Sequence, residues 1–153
     1  KNDNFSRQIA FNVIPQIDVF LDNDYTKEEM KMVWETRKIL GDDTILVNPT
    51  AVRVPVFFGH GEAIHIETRS PIDAADVKAL LAQAEGIKLY DDREAFPTQV
   101  CSASGNDLTH VGRVRNDISH PNGINMWVVS DNIRKGAATN SVQIAETLIR
   151  DYL

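Results

Sequence analysis

The sequence predicts an α+β domain in which a mixed, largely antiparallel sheet is covered by helices. Three observations predict it. Strand-like runs with period-two alternation gather in the middle and late parts of the chain, helical periodicity opens, interrupts and closes them, and a Pro/Gly loop joins two strand candidates into a hairpin. No GxGxxG follows a strand and opens a helix, so the doubly wound dinucleotide-binding alternative lacks its phosphate-gripping motif.

The elements follow in order. Residues 10–23, AFNVIPQIDVFLDN, are apolar but broken by proline, and read as an irregular packed segment. TKEEMKMVWETRKIL then sets Thr26 and Glu29 at capping-box spacing and Met30, Val33, Ile39 and Leu40 at helical intervals before Gly41. Two strands are expected next, at 45–47 and 51–58. In the second, Val52, Val54, Val56 and Phe58 share the core face while Arg53 leaves it. Ile64 and Ile66 alternate with His65 and Glu67 as a further strand. SPIDAADVKALLAQAEG predicts a helix with Ser70 as N-cap, Pro71 at its first position and Gly86 as terminator. VGRVRND and INMWVVSD flank ISHPNG as a hairpin. A closing helix places Ala138, Val142, Ala145, Leu148, Ile149 and Tyr152 along one stripe.

Composition bounds the function. The 153 residues fit one ordinary domain, and the 42% hydrophobic and 25% charged fractions are those of a globular protein without a membrane-spanning run. A net charge of -6 with scattered basic residues gives no footprint for nucleic acid. The opening KNDNFSRQ is polar and linker-like, with no signal-peptide pattern, and the single cysteine, Cys101, cannot close an intramolecular disulfide, so a reducing, cytoplasmic setting is expected. His60, His65, His110 and His120 lack the spacing of a zinc site, and no metal is expected.

Four polar residues invite a choice between structural and chemical roles. Arg53 reads as a strand-edge cation, as a partner for a carboxylate such as Glu28, or as a bidentate clamp on a substrate carboxylate. His60, between Gly59 and Gly61, reads as a loop imidazole or as a general acid/base, its glycines letting the backbone approach a ligand. Glu28 and Lys31 share a helix face, either as a solvated ion pair or as one anion and one cation offered to a zwitterionic or phosphorylated small molecule.

TKEEMKMVWETRKIL, NPTAVRVPVFFGHGEAIHIET, VGRVRNDIS and DNIRKGAATNSVQIAE, in that order, resemble the C-terminal half of aspartate-semialdehyde dehydrogenase from about Phe11 to Tyr152. The resemblance implies a glyceraldehyde-3-phosphate-dehydrogenase-like C-terminal domain and the reductive dephosphorylation of L-aspartyl 4-phosphate with NADPH, in lysine, threonine and methionine biosynthesis. It gives Arg53 the substrate carboxylate, Glu28 the substrate amino group, Lys31 the phosphate and His60 the acid/base role. One rigid strand would then carry both Arg53 and His60. Gly136 and Asn140 fall in the segment that meets the cofactor.

By the same resemblance, the nucleophilic cysteine and the NADP-binding domain lie upstream of this chain, Cys101 is an incidental thiol, and the chain alone is expected to be inactive. Residues 1–134 would form the substrate-binding and dimerisation domain, pairing as a homodimer through the sheet. Residues 135–153 would form a helix returning to the NADP-binding domain. The alternatives are a non-catalytic dimerisation module or the related N-acetyl-gamma-glutamyl-phosphate reductase, whose acetylated substrate has no charged amine for Glu28 to meet.

Overall fold

The computed structural model describes residues 4–153; the first three residues of the polar opening stretch lie outside the described residues. The chain divides into two compact units, Lys1–Pro55 and Val56–Leu153.

The first unit is organised by helix α1, Lys27–Leu40, which has the predicted caps. Thr26 Oγ1 accepts the Glu29 N–H at 3.3 Å and Glu29 Oε2 accepts the Thr26 N–H at 2.7 Å. Gly41 closes the helix in the left-handed region at φ 64°, where a Cβ would be strained, and its N–H returns to the Arg37 carbonyl. Residues 10–23 are irregular as expected, with isolated bridges Ile14–Arg53 and Phe20–Thr26.

The two strands expected at 45–47 and 51–58 do not form. Arg53 and Ile14 exchange both backbone hydrogen bonds, at 2.8 and 3.0 Å, and the ladder stops there. Its next hydrogen-bonding positions on this segment are Pro55, which has no N–H, and Ala51, whose N–H goes to Glu29 Oε1 at 2.9 Å. The alternating apolar face is therefore left without a sheet to join, and Val52, Val54, Val56 and Phe58 are all exposed.

The second unit holds a four-stranded sheet in the order β1–β4–β3–β2, from β1 (His60–Glu67), β2 (Ile87–Tyr90), β3 (Thr109–Asn116) and β4 (Gly123–Ser130). β4 pairs antiparallel with β1 and with β3, and β2 pairs parallel with β3. The sheet is thus mixed and largely antiparallel, with the expected β3–β4 hairpin. β2 had no counterpart in the sequence reading, because a four-residue IKLY run is too short to declare a period.

Helix α2, Ala74–Gln83, covers one sheet face. It starts later than expected: the N-cap is Asp73, not Ser70, because the Asp73 carboxylate accepts the N–H groups of Ala75 and Asp76 at 2.8 and 3.0 Å. Asn116 Oδ1, on β3, takes the Ala74 N–H at 2.7 Å and pins the helix start to the sheet. Val77 and Leu81 of α2 and Ile87, Leu89 and Val128 of the sheet pack on buried Val111, Val114 and Ile124, the core of this unit.

After β4, a π-helical turn over Arg134–Ala138 leads into α3, Thr139–Tyr152. The predicted apolar stripe is present, yet no α3 residue is buried, and Val142, Leu148, Ile149 and Tyr152 are all about half exposed or more. No helix among the described residues is long and apolar enough to cross a membrane.

Candidate functional site

The residues singled out from sequence divide between the two units, Glu28, Lys31 and Arg53 in the first and His60, Gly136 and Asn140 in the second. The expectation that one strand carries both Arg53 and His60 is therefore corrected, since the chain between them is not a strand.

In the first unit, Glu28 and Lys31 lie one turn apart on α1, with Lys31 Nζ donating to Glu28 Oε2 at 3.1 Å. The bond to Glu28 and the charge of that carboxylate raise the Lys31 pKa above its ordinary 10.5, so the ammonium is held charged beside its carboxylate. Both side chains remain more than a third exposed and open to a ligand. Arg53 is not paired with Glu28: its guanidinium lies 5.6 Å from the centre of the Phe5 ring, and among the described residues no carboxylate forms an ion pair with it. A planar cation without a carboxylate partner keeps its donor fork available.

Glu29, read from sequence only as half of a capping box, fixes this arrangement. One oxygen takes the Thr26 N–H and hydroxyl and the other takes the Ala51 N–H, so α1 and the segment leading to Arg53 share one buried carboxylate. These bonds, led by the Thr26 amide, hold the Glu29 pKa below its ordinary 4.5.

In the second unit, His60 is the first residue of β1 rather than a turn residue, and pairs with Ser130 at the end of β4. It is exposed, and among the described residues no hydrogen bond fixes its ring. Its glycines answer to the protein's own packing. A Cβ on Gly59, at φ 85°, would lie 3.1 Å from the Ser130 carbonyl and 3.2 Å from Gln99 Cβ; one on Gly61 would lie 2.9 Å from Trp127 Cη2 and strike the Gln99 amide. Gln99 begins a π-helical turn, Gln99–Ala103, that the sequence reading missed. Exposed Cys101 lies in that turn, its N–H on Thr98 Oγ1.

The turn after β4 gathers at the same end of the sheet. Buried Asp131 accepts the N–H groups of Ile133 and Arg134 on one oxygen and that of Gly105 on the other, which lowers its pKa. Asn132 Oδ1 accepts the Gly59 N–H at 2.9 Å. Asp107 receives a bidentate Arg134 at 2.8 and 2.7 Å and the Thr139 hydroxyl at 2.7 Å, which hold its pKa at about 2. Gly136 sends its N–H to the Asp131 carbonyl, and Asn140 Oδ1 accepts from Lys135 Nζ at 3.1 Å, leaving the Asn140 NH₂ to donate elsewhere. The Gly59 amide beside His60 is thus tied to the turn that holds Gly136, while Asn140 is held separately through Lys135. Among the described residues no group of three His, Cys, Asp or Glu stands ready for a metal.

Residues 1–135 match the family described as semialdehyde dehydrogenase, dimerisation domain. The chain belongs to this family. It is 70% identical over 148 residues to the aspartate-semialdehyde dehydrogenase of Shewanella sp. strain DB6705, covering 97% of this chain and 44% of that relative. It is similar, at 66% identity and TM-score 0.96, to the crystal structure of aspartate semialdehyde dehydrogenase II from Vibrio cholerae, covering all of this chain and 45% of that one, and to the same enzyme complexed with ASA. A more distant match, at 28% identity and TM-score 0.69, is the Candida albicans aspartate semialdehyde dehydrogenase with NADP, covering 92% of this chain and 45% of that one. The family's likeness confirms the mixed-sheet α+β fold class. The chain spans less than half the length of the curated relatives it matches.

Proposed function

We propose that this chain is the C-terminal half of a cytoplasmic, homodimeric aspartate-semialdehyde dehydrogenase, which converts L-aspartyl 4-phosphate, NADPH and a proton into L-aspartate 4-semialdehyde, phosphate and NADP⁺. The observation that carries this reading is the hydrogen bond, at one end of the sheet, that ties the Gly59 amide beside exposed His60 to the turn leading to Gly136 and Asn140, in a chain 70% identical to such an enzyme.

Each residue then has a task its chemistry suits. Arg53 grips the substrate carboxylate with its free fork, Glu28 faces the substrate ammonium and Lys31 the phosphate. His60 holds and returns a proton on a ring nitrogen as the thiolate of a cysteine outside this chain attacks the acyl carbon and phosphate leaves. NADPH, when bound, supplies the hydride. Gly136 and Asn140 fit the cofactor: Gly136 has an ordinary φ and a Cβ there would meet nothing closer than 3.6 Å, so packing within the chain does not require glycine. The Asn140 NH₂ is free to donate to a carboxamide oxygen.

In this reading residues 1–134 form the substrate-binding and dimerisation domain, and 135–153 the helix that returns to the NADP-binding domain. The exposed stripe of α3 supports the second assignment. Pairing through the sheet is supported by its face opposite α2, where Ala63, Phe96, Arg113, Arg115 and Trp127 line a cavity of about 350 Å³, a mixture of aromatic and arginine side chains common in interfaces.

Steady-state kinetics of the intact enzyme test the proposal. Arg53→Lys keeps charge but loses the fork, so KM for the acyl phosphate rises and kcat falls. His60→Asn lowers kcat by about 10²–10⁴-fold with KM nearly unchanged. A near-normal kcat in His60→Asn, or an Arg53→Lys enzyme indistinguishable from wild type, overturns the assignment of that residue.

A further inference from the structure

We propose that Asn132 is a positioning residue for His60, tying the acid/base imidazole to the turn that leads to Gly136 and Asn140; this rests on the acid/base reading of His60 above. The His60 ring has no hydrogen bond of its own among the described residues, so its place depends on its backbone. That backbone has strand pairing on one side, from β4. β1 lies at the sheet edge, with β4 as its one strand neighbour, and His60 is its terminal residue. The peptide before it belongs to Gly59, whose φ of 85° is open to glycine and which has no side chain to anchor it.

The Asn132 side chain supplies the anchor. Its Oδ1 takes the Gly59 N–H at 2.9 Å, joining positions 73 residues apart in sequence. Asn132 is itself held from both sides. Buried Asp131 fixes the turn through Gly105, Ile133 and Arg134, and the Gly136 and Ala138 amides return to the carbonyls of Asp131 and Ile133. A shift at Asn132 is thus transmitted to Gly59 and on to His60, while the Gly136–Asn140 segment keeps its separate Asp107 and Lys135 anchors. Misplacing a reacting group by about 1 Å costs on the order of 10²-fold in rate.

The test is a double-mutant cycle in the intact enzyme. Asn132→Ala is expected to lower kcat by about 10- to 100-fold with KM for the acyl phosphate little changed. Asn132→Asp, which keeps an acceptor oxygen at the same reach, restores kcat to within about tenfold of wild type. The pair His60→Asn with Asn132→Ala falls no further than His60→Asn alone, within about twofold. Amide hydrogen exchange of the peptide containing Gly59 accelerates in Asn132→Ala with the enzyme otherwise folded. If the alanine variant does not accumulate, Asn132→Ser, too short to reach Gly59, makes the same comparison. A normal kcat in Asn132→Ala alongside a collapsed His60→Asn overturns the positioning role and leaves the His60 reading standing. Multiplicative losses in the double variant overturn it as well, since Asn132 then acts independently of His60. A near-normal His60→Asn overturns both.

Discussion

Glu29 sets both carboxylate oxygens on donors from two segments: the Thr26 amide and hydroxyl at the start of α1, and the Ala51 amide before Arg53. A carboxylate can accept on both oxygens, whereas an amide has one acceptor and one donor. Glu29→Gln therefore turns an NH₂ toward a backbone N–H, and is expected to destabilise the protein by about 1–3 kcal/mol, nearly as much as Glu29→Ala. Urea denaturation measures it, and a Glu29→Gln variant as stable as wild type would show that the network is dispensable. The pH dependence follows from the lowered pKa. The folded carboxylate binds its proton less readily than the unfolded one, so its stabilisation is complete above 4.5 and is lost as pH falls from there through the folded value. Below that window the wild type should approach the stability of Glu29→Gln.

At the scale of elements, β1 is an edge strand whose first turn of chain is packed from above by the Gln99–Ala103 turn and from the side by β4. Gly61 is where these meet. Its backbone carries no left-handed strain, so Gly61→Ala isolates the steric effect: the new methyl would lie 2.9 Å from the Trp127 ring and against the Gln99 amide. Overpacking of this kind costs about 1–3 kcal/mol. Gln99→Ala should recover part of that loss, because Gln99 can be shortened whereas Trp127 is held by its Nε1–H bond to the Pro97 carbonyl at 2.9 Å. Additive losses in thermal or chemical unfolding of the two single variants and the double variant would exclude Gln99 as the obstruction.

At the scale of the whole molecule, α3 and the sheet face opposite α2 both present apolar surface, and the chain covers 44% of its Shewanella relative. The proposed activity draws its nucleophile and its main cofactor grip from the remainder of such an enzyme. The 153 residues alone are accordingly expected to show no NADPH-dependent turnover of L-aspartyl 4-phosphate and no NADP⁺-dependent reverse reaction, whereas the intact enzyme shows both. Turnover by the purified chain, persisting after removal of any full-length enzyme, would refute the division of labour proposed between the two halves.

By itself the sequence determined what is local and periodic. Thr26, Glu29 and Gly41 bound α1 because caps act within a single turn of chain, the Pro/Gly loop made the β3–β4 hairpin because its strands are neighbours in sequence, and the ordered motifs carried the family. Only the tertiary structure decided what depends on partners distant in sequence. Alternation at 51–58 promised a strand, but a strand needs a ladder, and Pro55 and the Glu29-bound Ala51 amide leave none to extend. Asp73 displaced Ser70 as the α2 cap because its carboxylate captures two amides. β2 exists because β3 is there to pair with it, and the glycines around His60 are required by Gln99, Trp127 and Ser130. The bond from Asn132 to Gly59 spans 73 residues, a distance over which no spacing rule operates and only folding brings donor to acceptor.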